Sequence, residues 1–343
     1  MEKNVRTVFC LAGWMAIILV VALGCQATPA PAETPTAVPP TATPLPPTPT
    51  PLPPTPTPEP EPWEKVTDIP TWAVGSSALV LDGEFYVVGG HKLGKALGAV
   101  QVYDPATDAW DTRADMPTPR SASACVLDAK IYTFGGSLKG NLTDASAPIE
   151  VYDPATDTWD TRADMPTPRS YFGVHTIDDK VYVFGGDKEC SCSVEVYDPE
   201  TDTWERRADM PTPRILASSF LVDGRVYVVG GYVPKGGPVS TVDVYDPATD
   251  TWTQVADLPT PRSAMVSCVL DDKIYAISGF VLRAEGVADV PVVEVYDPIA
   301  NEWQQGPDIP QPMRSVPCAA MDSRIYVFGG PMRTDVWEYD PAR

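Results

Sequence analysis

The side chains of this chain that could do chemistry are few and scattered. Only two histidines are present. His91 directly follows a glycine pair, and His175 stands six residues after Arg169. Their spacing matches no histidine-based metal motif, H-E-x-x-H included. An arginine closes a proline-rich stretch at Arg120, Arg169, Arg214, Arg262 and Arg314, and a guanidinium is suited to two-point binding of a carboxylate or phosphate. Cys190 and Cys192 form a C-x-C pair, which fits a small loop disulfide, free thiols or an incomplete soft-metal site. Cys125, Cys268 and Cys318 stand singly in apolar runs, where cysteine packs as a small hydrophobe. The carboxylates recur in separated Asp-Pro-x-Thr-Asp turns such as Asp104/Asp108 and Asp153/Asp157, unlike the closely spaced ligands of a calcium loop. No G-x-S-x-G, phosphate loop or dinucleotide fingerprint is present, and nothing in the chain implies a cofactor.

The elements that must position these residues repeat. A glycine-pair position occurs at Gly89, Gly135, Gly185, Gly230, Ser278 and Gly329. Tyr-Asp-Pro follows at Tyr103, Tyr152, Tyr197, Tyr245, Tyr296 and Tyr339, and a tryptophan comes seven residues later at Trp110, Trp159, Trp204, Trp252 and Trp303. The sixth tryptophan would fall beyond Arg343. Its counterpart is at the other end, where Trp63-Glu-Lys-Val-Thr-Asp-Ile-Pro matches Trp110-Asp-Thr-Arg-Ala-Asp-Met-Pro. Each unit predicts four strands: a run after the arginine, an Asp turn such as Asp178-Asp179, an alternating strand into the glycine pair, a strand ending at Tyr-Asp-Pro, and a strand at the tryptophan. The expectation is an all-β, six-bladed β-propeller over residues 63–343, closed by the first strand completing the last blade.

Gly-Gly, a later tyrosine and a tryptophan about seven residues beyond make the chain resemble the kelch family over Trp63 to Arg343. The resemblance implies a propeller in which the glycines, Tyr and Trp are structural. It leaves open a protein-binding module or an enzyme. Two faces are expected. One carries the short acidic turns. The other carries the variable strand 2–3 loops, with His91, Lys92, Lys95, Lys139, Lys188, Tyr232, Lys235, Arg283 and Arg333, and around the channel mouth the five arginines, with Ala73 as a gap. In six-bladed kelch domains that bind acidic peptides, matching arginines touch the ligand. The alternative is that these arginines pair with carboxylates of neighbouring blades and brace the ring.

Two functions follow as expectations. The first is a binding module for an anionic peptide, protein or glycan, acting as a monomer. The second is an exported carbohydrate enzyme resembling the kelch sialic acid mutarotase, for which acid/base candidates on the loop face are His91, Asp187, Glu189 and Glu285. These carboxylates and His91 form no recognisable pair, so binding ranks above catalysis. The two histidines, in separate blades, also do not match the copper radical oxidases of the family. A formal charge of −21 argues against non-specific nucleic-acid binding.

The N-terminus supplies an address. Lys3 and Arg6 precede an apolar run from Val8 to Gly24 that ends at Cys25, the pattern of an export signal. Ala22-Leu23-Gly24-Cys25 resembles a bacterial lipoprotein signal, with Cys25 as the lipidated residue, although Ala22 stands where Leu is usual. An uncleaved signal anchor is the alternative. Of the 40 prolines, sixteen fall in 26–62, which predicts an extended polyproline stalk. The expected organisation is a signal at 1–25, a stalk at 26–62 and the propeller at 63–343, exported and anchored to a membrane.

Overall fold

The computed structural model describes residues 61–140, 144–186, 192–234 and 236–343. The chain divides into two units, Met1–Thr57 and Pro58–Arg343, and all described residues belong to the second. The signal, Cys25 and the stalk as far as residue 60 lie outside the described residues, as do Asp187, Lys188, Glu189, Cys190 and Lys235.

The described residues form six four-stranded antiparallel sheets, with three two-stranded hairpins beside them. Blade one runs Ser77–Leu81, Glu84–Val88, Val100–Asp104 and Ala109–Arg113. Blades two to five repeat this order from Ser121, Gly173, Ser218 and Val266. Blade six comprises Cys318–Met321, Arg324–Gly330 and Arg333–Tyr339, and its outer strand is Trp63–Asp68. Trp63 lies opposite Tyr339 in that pairing, so the ring closes as the repeat predicts. The strand 1–2 turns are tight because their central residues take positive φ. Asp178 and Asp179 are at 48° and 59°, the conformation of a two-residue hairpin turn that Asp tolerates.

The core lies between blades. One cluster joins Phe134, Ile149 and Val151 of blade two to Val181, Val183 and Tyr197 of blade three. Hydrogen bonds add register. Each of five tryptophans donates its indole N–H to the carbonyl just past the outer strand of the preceding blade. Trp159 reaches Ala114 at 2.8 Å, and Trp63 reaches Pro307 at 3.0 Å.

The acidic turns join neighbouring blades as well. Asp157 Oδ1 accepts the Tyr152 hydroxyl of its own blade and the Ala114 N–H of the preceding one, both at 2.8 Å. Asp202, Asp250 and Asn301 repeat this double bond. The boundary between blades six and one differs. There the Trp110 indole N–H has no partner, and Phe85 packs instead on Tyr326 and Phe328, with ring centroids 4.6 and 5.2 Å away.

Candidate functional site

Four of the five expected mouth arginines are not at the mouth. Arg120, Arg169, Arg214 and Arg262 are fully buried, and each folds over its own blade onto a third-strand carboxylate. The pairs are Arg120–Glu150, Arg169–Glu195 at 2.9 Å, Arg214–Asp243 and Arg262–Glu294 at 3.1 Å. The same guanidinium also caps the end of the second strand. Arg169 Nη1 donates to the Gly185 carbonyl at 2.6 Å, and Arg120 Nε to that of Gly135 at 2.7 Å. The backbone of the arginine holds the preceding blade. Gly90 N–H donates to the Arg120 carbonyl at 2.9 Å, and Gly136 N–H to that of Arg169 at 2.7 Å. A Cβ on Gly89 would sit 2.5 Å from the Arg120 carbonyl oxygen, so the glycine pair is required by this approach. The arginines therefore brace the ring, within a blade by side chain and between blades by backbone.

Burial pulls the guanidinium of Arg120 below its ordinary range, against the opposing pull of Glu150; Arg214 and Arg262 behave likewise. Burial also pushes the Asp243 carboxyl up, against Arg214. Desolvation is the larger effect in each, as expected for charges removed from water.

Arg314 differs from the other four. The braced position stands ten residues after the tryptophan: Ala73, Arg120, Arg169, Arg214, Arg262 and, in blade six, Met313. Arg314 is one residue further on. A one-residue shift sends a strand-end side chain to the other face. Its side chain is 41% exposed, pairs with Asp289 at 3.2 Å and lies over the Phe280 ring at 5.5 Å. The carboxylate position, two residues before the tyrosine, follows the same division. It is Gln101 in blade one and Trp337 in blade six. Gln101 replaces the ion pair with two bonds to the Thr71 backbone, at 2.7 and 2.9 Å. Met313 and Trp337 belong to one apolar cluster.

His91 is also buried. Its Nδ1 lies 2.5 Å from Ser121 Oγ of the next blade, and desolvation lowers its imidazole, partly offset by the Leu138 backbone. Glu285 is exposed. Cys192 is disulfide-bonded. His175 faces the central channel, where its Nε2 lies 2.8 Å from Ser219 Oγ. Desolvation lowers its imidazole to about 4.

The channel opens as two adjoining cavities of ≈ 210 and ≈ 300 Å³. Their walls are the first strands, and the polar groups are mainly serines such as Ser76, Ser123 and Ser218, with His175. Among the described residues no carboxylate and no arginine lines either one. A sugar carboxylate would meet no guanidinium there.

The strand 2–3 hairpins make the other candidate surface. Leu93, Leu138, Leu282, Val287 and Met332 are exposed large hydrophobics, and all stand on the strand 2–3 connections of blades one, two, five and six. Lys92 lies over the Trp72 ring at 5.6 Å. Tyr232 meets Phe280 with ring centroids 6.3 Å apart, so Tyr232 and Arg314 both approach one aromatic ring.

The family model of the KLHDC2/KLHL20/DRC7 kelch-repeats domain matches residues 55–186 and 123–330. The chain belongs to the kelch-repeat family. Kelch-like protein terF of Aspergillus terreus is 35% identical over 89 residues, covering 24% of this chain and 19% of that protein. The F-box/kelch-repeat protein At1g67480 of Arabidopsis thaliana is 32% identical over 76 residues, with 22% and 20% covered. Human kelch-like protein 33 is 31% identical over 77 residues, with 22% and 14% covered. The match thus spans a fifth or less of the length of these relatives. Among solved structures, that of YjhT matches with a TM-score of 0.66 at 16% identity, over 79% of this chain and 95% of that one, a likeness of fold. Within this kelch propeller the motif residues have structural tasks.

Proposed function

We propose that this kelch propeller is a protein-binding module whose hairpin face, from blade five through blades six and one to blade two, docks a partner through apolar anchors. The observation that carries this is the clustering of exposed hydrophobics. Among the described residues, five of the six large exposed hydrophobics are on the strand 2–3 connections, and the sixth, Ile299, is on the acidic turns. Exposed apolar residues gathered on one face of a domain are a mark of interaction sites. Acidic groups on the partner meet Lys92, Lys95, Lys139, Arg283 and Arg333 on the same hairpins, in place of the four buried arginines. The N-terminal pattern supports export and tethering through Cys25, with 26–62 as the stalk.

The test compares the wild-type chain with Leu93→Asp/Leu282→Asp and with Ile299→Asp in crosslinking capture from an envelope extract of the source cells, followed by affinity measurement on the identified partner. The hairpin double variant is expected to bind at least tenfold more weakly, as for loss of an anchor residue, and Ile299→Asp to bind as wild type. Equal affinity of all three would overturn the proposal. Lipidation is tested separately by mass spectrometry of the mature N-terminus with Cys25→Ser as control.

A further inference from the structure

Cys268 and Cys318 stand on the innermost strands of consecutive blades. Cys268 is in Val266–Leu270 of blade five and Cys318 in Cys318–Met321 of blade six. These two strands run side by side around the channel. Both side chains join one apolar cluster, which also contains Trp63 and Tyr339 of the closing pair. Both lie in that cluster at the boundary between blades five and six, where the Cys318 thiol influences the ionisation of Cys268. The two differ in access. Cys268 is buried, whereas Cys318 is half-buried and lines the wider cavity of the channel. Neither is bonded to another cysteine.

We infer that Cys268 and Cys318 are a dithiol site that an oxidising small disulfide converts into a covalent staple between blades five and six. The channel-facing thiol reacts first. Cys318, as thiolate, attacks one sulfur of a disulfide R–S–S–R and releases R–S⁻, leaving a mixed disulfide on Cys318. Cys268 then gives its proton to the released thiolate and attacks the Cys318 sulfur, expelling the second R–S⁻, which takes up the proton first lost by Cys318. The balance is two protein thiols and one R–S–S–R converted to one protein disulfide and two R–SH. Burial pushes the Cys268 thiol up, which fits the slow, resolving role and not that of first attack. The small disulfide enters through the cavity that Cys318 lines.

The consequence for stability follows from topology. The staple closes a loop that holds the last three strands of blade five and the whole connection to blade six. Closing a long loop restricts the unfolded chain.

The experiment treats the purified full chain with 2-hydroxyethyl disulfide, blocks remaining thiols under denaturing conditions, and maps peptides without reduction. The expected result is a Cys268–Cys318 linked peptide and a Tm raised by on the order of 5–10 °C, with both effects reversed by dithiothreitol and absent in Cys268→Ser and in Cys318→Ser. Separate alkylation of both cysteines in oxidised protein, or a stable mixed disulfide on Cys318 alone, overturns the proposal. Should the serine variants fold poorly, the peptide map of the wild-type chain decides by itself.

Discussion

Arg169 and Glu195 face each other at 2.9 Å inside blade three, and the chain keeps or discards such a pair as a unit. Blades two to five have both charges. Blade one has Ala73 with Gln101, and blade six has Met313 with Trp337. No blade carries one charge without the other. A buried ion pair adds little net stability, since desolvation nearly cancels the attraction, but one buried charge left alone is strongly unfavourable. Within a single chain the repeats thus show three solutions to one packing problem.

Removing one charge and removing both should therefore differ. Arg169→Ala is expected to destabilise the folded chain by about 3–5 kcal/mol, because Glu195 is left buried and unpaired. Arg169→Ala/Glu195→Gln copies blade one and should recover more than half of that loss. Urea unfolding of the three proteins measures it, and a double variant as unstable as the single one would refute the argument.

The blade-joining aspartates make an acid-sensitive contribution. The Asp157 carboxyl is held below its ordinary range by the Ala114 N–H and then by the Tyr152 hydroxyl. Asp202 is held down by the Tyr197 hydroxyl and then by the Ala163 N–H. A carboxyl with a lowered folded-state value stabilises above its unfolded value, near 4, and loses that contribution as pH falls through the folded value. Blade five has Asn301 in this place, with the same two bonds and no titration. Asp157→Asn/Asp202→Asn should therefore show a shallower fall in Tm below pH 4 than wild type, measured by calorimetry across that range.

His175 acts in a higher window. Folded, it titrates at about 4 because burial disfavours its charge, whereas an unfolded histidine titrates near 6.5. Its folded value is lowered, so the unfolded state binds the proton first as pH falls. Stability is full above about 6.5 and declines from there toward 4. His175→Gln should flatten the slope over that interval. The imidazole resonances of the wild-type chain should show one histidine still neutral at pH 5; a midpoint near 6.5 for His175 would contradict this.

The closing strand gives the largest expected loss. Trp63 is buried, donates to Pro307 and lies 5.0 Å from the Tyr339 ring. Trp63→Ala should cost about 3–5 kcal/mol, and deletion of residues 63–70 should lower Tm further, because Arg333–Tyr339 becomes an open edge. A deletion variant that melts with the parent chain would disprove the closure.

The blade count and the ring closure were legible because the glycine pair, Tyr-Asp-Pro and Trp recur at nearly constant spacing, and a strand lost at one end reappears at the other. The fate of the arginines was not. A strand-end arginine has the length either to reach into a channel or to fold back over its own sheet, and only the carboxylate two residues before each tyrosine distinguishes the two. That co-occurrence is present in the sequence, as is the constant ten residues from tryptophan to braced position, which separates Met313 from Arg314. The carboxylate partner was expected in a neighbouring blade and lies in the same one. The acidic turns read as turn chemistry, and their second role depends on the twist that brings Asp157 to the Ala114 N–H, which no local pattern encodes.

The outer strand of blade six enters at Trp63, beside Tyr339 at the acidic-turn end, and runs toward the hairpin end at Asp68. Force applied through the residues before Trp63, and resisted by a partner on the hairpins, would pull along that strand. The ladder to Arg333–Tyr339 would be loaded in shear, with its hydrogen bonds sharing the strain together. A pull from the opposite side would unzip them one at a time. The position of the ring closure therefore also sets the direction in which this domain is mechanically strong.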